Sequence, residues 1–173
     1  VQCRAQSIVD ILEGAQGPHA HPLAAACVAA GIVPVADGYG LLALPHQSGG
    51  TYTATGYFTG AADHASLAAT TPDATAGIRA HAQRVESAIG GMVLTAAMAD
   101  SAAVSLVKTP TDAVALAQVV TTCAQLYSGG AATASSTSNT ANTGAADALT
   151  AYAEGQLMAT LALVPRGAGA SGG

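Results

Sequence analysis

A chain of 173 residues is the length of one domain, and its net charge of −5 comes with only 9% charged residues, against roughly 25% in an average globular domain. The five fixed cations, Arg4, Arg79, Arg84, Lys108 and Arg166, are scattered and make no electrostatic footprint for nucleic acid. Half the residues are apolar, yet there is no Trp and one Phe, so the core must rest on Ala, whose burial gains far less than the ~1.5–3 kcal/mol of Leu or Phe.

Arg4 to Glu13 carries Ile8, Val9, Ile11 and Leu12, an amphipathic pattern that predicts a short helix ended by Gly14 and Gly17. His21-Pro22 then opens a second short helix over Leu23–Ala30, with Gly31 as its stop. Ile32–Val35 and Tyr39–Leu44 are β-prone runs, and the Asp37-Gly38 pair between them favours a hairpin turn. Thr51–Thr59, after the Ser48-Gly49-Gly50 turn, alternates and is rich in Thr, Tyr and Phe. It predicts a third strand, so the first third reads as a small antiparallel sheet.

The second half has another period. From Asp73 to about Ala99, the residues Ile78, Ala82, Val85, Ile89, Met92, Val93 and Ala96 recur at three- and four-residue steps, which predicts a long amphipathic helix. Gly90-Gly91 within it suggests a kink or a close helix crossing. Ala102–Val107 reads as a strand that leads to Lys108. Thr109-Pro110-Thr111-Asp112 reads as a helix start with Thr109 as N-cap, and the helix runs to about Tyr127. Val114, Leu116, Val119, Val120, Cys123 and Leu126 surround that helix, which predicts a buried, central position.

Residues 128–144 alternate Ala, Thr, Ser and Asn without a charge, the composition of a flexible or partner-held loop. A last helix is expected over Ala145–Ala162, and residues 167–173 form a disordered Gly/Ala/Ser tail. Leu163-Val164-Pro165-Arg166-Gly167 resembles a thrombin recognition sequence, and equally reads as a natural strand end before that tail. No internal repeat is evident. The fold class expected is therefore α+β, mostly helical, with the small sheet in the first third and the long helix plus the buried central helix in the second half. Residues 1–173 are expected to form a single domain or a fragment of a larger protein; Val1 in place of an initiator Met points to processing or to a piece of a longer polypeptide.

Val1–Leu12, with charges at Arg4 and Asp10, does not read as a signal peptide. The longest apolar stretch, Met92–Val107, is broken by Asp100 and falls short of the ~20 residues of a membrane span, so the chain is expected to be soluble. Cys3, Cys27 and Cys123 are odd in number and widely spaced; they indicate neither a disulfide framework nor a zinc site and read as buried free thiols.

No motif fixes an activity. His19-Ala20-His21 places two imidazoles on one side of an extended segment, but a metal site needs three or four protein ligands, and the further candidates His46, His64 and Asp63 lack diagnostic spacing. Ser48 follows His46, yet no GxSxG elbow is present and a Pro/Ser/Gly turn accounts for His46–Gly50. No phosphate loop and no carboxylate pair for glycoside chemistry stands out. No catalytic, cofactor or metal residue is assigned, and no cofactor, small-molecule ligand, membrane or specific nucleic-acid partner is expected.

Low charge, small side chains and the uncharged loop point to a structural assembly subunit, a viral capsid (coat) protein or a fragment of one. It would self-associate with copies of itself or with neighbouring segments of a larger capsid polypeptide. The alternatives are a hydrolase-like enzyme domain using His46 or His64, and a secreted or surface interaction module. The corresponding locations are the virion for a coat subunit and otherwise the cytoplasm.

Overall fold

The computed structural model describes residues 1–33, 39–42, 47–48, 51–52, 56–128 and 147–159, with the backbone alone for 47–48 and 51–52. Six helices account for most of it: α1 (Gln2–Glu13), α2 (Ala25–Ala29), α3 (Tyr57–Thr70), α4 (Ala76–Lys108), α5 (Ala113–Ser128) and α6 (Ala148–Ala159). About 75% of the described structure is helical.

The α+β expectation is overturned. Extended pairing among the described residues amounts to Gln47–Ser48 against Thr51–Tyr52, in antiparallel register Gln47↔Tyr52 and Ser48↔Thr51, too short to make a layer. The strand expected over Thr51–Thr59 fails because Tyr57–Thr59 opens α3. Ala102–Val107 is no strand either, since it continues α4 without a break. Ile32, Val33 and residues 39–42 join no sheet. The Asp37-Gly38 turn, Gly49-Gly50, most of the 128–144 loop, and the tail with Leu163–Gly167 lie outside the described residues; Ser128 itself ends α5.

The hub is α4, against which α1, α3, α5 and α6 all pack. Its 33 residues span about 50 Å at 1.5 Å per residue. Ala82, Val85, Ile89, Met92, Ala96, Ala99, Ala103 and Leu106 are all buried and follow alternating three- and four-residue steps, the spacing of a packed helical seam. The seam expected to about Ala99 extends by two further turns to Leu106. Ala82, Ala96, Ala99 and Ala103 are fully enclosed; their missing bulk lets neighbouring backbones approach, so many small contacts replace a few large ones. The helix also has the length and apolarity of a membrane span, more than the apolar stretch Met92–Val107 alone provides. Its buried seam is the surface that the four neighbouring helices cover.

Two apolar clusters divide the seam. Leu12, Leu42, Phe58 and Ala65 join its first part, while Ala5, Val9, Ala115 and Val119 join its last turns. A close crossing at Gly90-Gly91 is not found at Gly90, around which there is open space.

Local chemistry explains the helix ends. Gly14 closes α1 at φ 75° and Gly31 follows α2 at φ 82°, a region that glycine enters without strain. The second helix is shorter than expected, with Pro22 ahead of it. Thr75 Oγ1 accepts the Ile78 N–H at the start of α4, and Lys108 sits favourably in the last turn. The N-cap of α5 is Asp112, not Thr109: its Oδ1 accepts the N–H groups of Val114 and Ala115, both at 3.0 Å. Asp147 caps α6 through the Thr150 N–H at 2.8 Å.

The expectation that α5 is the buried centre is also overturned. Ala115, Val119 and Thr122 face inward, whereas Val114 is 78%, Val120 62% and Tyr127 67% exposed. An apolar surround can mean burial by the chain itself or a face left for something else.

Candidate functional site

Polar side chains gather where α1 ends beside α4. Glu13 is the last residue of α1 and its side chain is 0% exposed. It is held by the loop that follows: the His19 N–H donates to Glu13 Oε2 at 2.7 Å, and the His19 ring Nδ1 meets Oε1 at 2.7 Å. One turn back, Asp10 Oδ1 accepts Gln6 Nε2 at 2.8 Å and the His21 N–H at 3.2 Å, while Gln6 Nε2 also reaches the His19 carbonyl at 3.1 Å. Three side chains on one face of α1, at i, i+4 and i+7, thus bind the backbone of residues 19–21 to the helix.

Asp100 comes to this place from α4. One ligand atom each from Glu13, His19 and Asp100 lies within 4.8 Å of the others. Asp100 Oδ1 is fully buried and meets no hydrogen-bond donor among the described residues. Burial pushes the Asp100 carboxyl up to about 6, with the charge of Glu13 and a hydrogen bond to it adding to the effect and the His19 ring opposing it. Removing a carboxylate from water disfavours its charged form, and a second carboxylate close by disfavours it further.

A pH dependence follows. Asp100 holds its proton more tightly folded than unfolded, so its ionisation weakens the fold progressively between 3.8 and about 6 and fully above that. Asp100→Asn removes this titration and is expected to melt higher than the wild type at neutral pH, with the difference shrinking as pH falls through this window. Thermal unfolding of both proteins across the range checks it; a difference that stays constant with pH would exclude Asp100 as the source.

Glycines shape the pocket around Glu13. A Cβ at Gly17 would strike the Glu13 side chain, and one at Gly40 would strike the backbone of Leu12, Glu13 and Gly14.

Of the candidates read from sequence, His19 joins the cluster, through Glu13 and Asp100 and not through the residues first considered. His21 contributes its backbone N–H to Asp10. Asp63 and His64 are exposed on α3, away from this arrangement in the chain, and His46 lies outside the described residues. The reading of three free thiols is corrected: Cys3 on α1 and Cys27 on α2 form a disulfide, with Cα atoms 5.5 Å apart. Cys123 is free and half-buried, and burial raises its thiol pKa, which disfavours the reactive thiolate.

Two further features complete the surface. His81 and Arg84 on α4 both meet Glu154 Oε2 of α6, at 2.6 and 2.8 Å; hydrogen bonds from His81 first, then Arg84, hold the Glu154 carboxyl below its ordinary value. An open apolar groove of about 350 Å³ is lined by Ile8, Ile11, Phe58, Met92, Cys123 and Tyr127, among others. Compared with known proteins, the chain matches no family model, no curated protein and no solved structure.

Proposed function

We propose that this chain is an assembly subunit that acts by packing against copies of itself, a particle-forming coat protein being the specific form of that reading. The observation that carries it is the outer face of α5. Leu116, Val120, Cys123 and Tyr127 follow one another at steps of four, three and four residues, which keeps them on one side of a helix. Leu116, Val120 and Tyr127 are exposed, and Cys123 and Tyr127 continue into the apolar groove. The whole helix, AVALAQVVTTCAQLYS, contains no charged residue. A solvated helix face normally carries charge, whereas the core of an interface is depleted of it. An uncharged stripe suits a second identical stripe, because the pairing of two copies about a two-fold axis is self-complementary. A stable interface of this kind needs roughly 800 Å² per partner, and the α5 stripe with the adjoining groove supplies contiguous apolar area toward it.

The expected result is concentration-dependent association by light scattering or native mass measurement. Val120→Asp should weaken it by two or more orders of magnitude, since an unpaired buried charge costs several kcal/mol. Closed particles by negative-stain microscopy would favour the coat form. A wild-type chain that stays monomeric at high concentration would remove the reading.

The disulfide favours a second reading, an exported or surface interaction module. Disulfides persist outside the reducing cytosol, on secreted proteins and at virion or cell surfaces, so Cys3–Cys27 argues against a cytoplasmic location under either reading. The two part on the partner: the first needs another copy of this chain, the second a different protein.

A further inference from the structure

We propose that Glu13, His19 and Asp100 form a binding site for a divalent first-row transition ion, with zinc or manganese as the matching class. The three residues come from the end of α1, the loop after it and the middle of α4, and their ligand atoms already lie within 4.8 Å of one another. Ligands held at about 2.0–2.2 Å from one ion stand roughly 3–4.4 Å apart, so the widest pair closes by up to about an ångström while the His19 Nδ1–Glu13 Oε1 contact at 2.7 Å opens to admit the ion. His19 sits on a loop tied to α1 through its backbone, and its side chain is 47% exposed, which gives an ion a way in.

Electrostatics favours a cation here. Two carboxyl groups set side by side, Glu13 buried and Asp100 partly buried, repel one another when ionised and call for positive charge. Glu13 obtains its partners from the N–H and ring of His19. Asp100 Oδ1 obtains none among the described residues, although that atom is fully buried. A buried acceptor without a donor is costly, and an ion between the two carboxyl groups would satisfy it.

The donor set selects the class. Two oxygen ligands and one imidazole nitrogen suit zinc, manganese or ferrous iron, whereas calcium takes six to eight oxygens and the absence of a thiolate from the group disfavours copper(I). Three protein ligands leave at least one coordination position open, the arrangement of an exchangeable or reactive site, in contrast to a closed four-ligand structural one. The Gly17 and Gly40 backbones pressed against Glu13, and the hydrogen bonds that Gln6 donates to the His19 carbonyl and Asp10 accepts from the His21 N–H, are the kind of outer support that ligands require.

The test uses chelator-treated protein carrying Cys123→Ser, so that the free thiol takes no part, titrated with Zn²⁺ and with Mn²⁺ by calorimetry and followed by thermal unfolding. One ion per chain is expected, with a rise in melting temperature. Asp100→Asn and His19→Gln should each weaken binding at least about tenfold while remaining folded, since Asn keeps the shape of Asp and His19 is at the surface. Absence of saturable binding of either ion, or binding that both variants leave unchanged, overturns the assignment.

Discussion

Reduction of the Cys3–Cys27 disulfide is expected to lower the unfolding free energy by about 3 kcal/mol, the loss associated with opening a loop of this length. The bridge closes a loop with a sequence separation of 24, so much of its contribution is the restriction of the unfolded chain. A second part is local. α2 has five residues, of which Cys27 alone is buried, and a helix of that length does not hold in water without tertiary support. The loop before it is tied to α1 by Gln6, Asp10 and Glu13, but those ties end at His21. With the bridge open, α2 keeps little to anchor it. Urea unfolding with and without a phosphine reductant should show the loss, as should the Cys3→Ser/Cys27→Ser pair, with a melting point lower by roughly 10 °C. Amide exchange should show residues 25–29 losing protection first. Equal stability of oxidised and reduced protein would mean that the helices hold α2 without the bridge.

The helical second half was largely legible, and the errors have specific physical causes. The three-and-four spacing of α4 continues through Ala99, Ala103 and Leu106, but the cluster Ala102, Ala103, Val104, Leu106 and Val107 is also a short apolar run, and such a run has no period of its own that separates strand from helix. Tyr57, Phe58 and Thr59 look β-prone in isolation. They open α3 because the Ala-rich stretch behind them has strong helix propensity and because Phe58 is drawn into the core beside Leu12 and Leu42. For α5, apolar residues on every side were equated with burial, although the outward half faces no part of the described chain. The Cys3–Cys27 pairing could not be read, since spacing does not reveal which of three thiols meet.

The candidate site was half visible. His19-Ala20-His21 drew attention to the right segment, and Asp100 was noticed as the break in an apolar run. What connects them is packing: α1 crosses α4 so that Glu13 meets Asp100, and no spacing rule links residues so far apart in the chain. One signal was available. Asp100 lies four residues after Ala96, beside the buried seam of the long helix, and a lone carboxylate at the edge of such a seam needs a partner.

Gly40→Ala is expected to cost about 3 kcal/mol or more, because the segment it belongs to ends one helix and begins another. The Leu41 and Leu42 N–H groups donate to the carbonyls of Ile11 and Leu12 in the last turn of α1, while the Gly40 and Leu41 carbonyls accept the Tyr57 and Phe58 N–H groups at the start of α3. Helix ends leave such groups without intrahelical partners, and here one short segment satisfies two at each end. The added methyl group would run into the backbone of Leu12, Glu13 and Gly14. Backbone atoms have no rotamer by which to yield, so the segment must lift, and four hydrogen bonds and the burial of Leu42 are put at risk together. Overpacking alone costs about 1–3 kcal/mol; the loosened caps add to it. Gly90→Ala is the contrast. A methyl group there meets open space on α4, and the change is expected to stabilise by about 1 kcal/mol through helix propensity. Urea unfolding of the two variants should move in opposite directions from the wild type. If Gly40→Ala proves as stable as the wild type, the segment does not hold α1 and α3 together, and the position of Glu13 against Asp100 must be set by α4 alone.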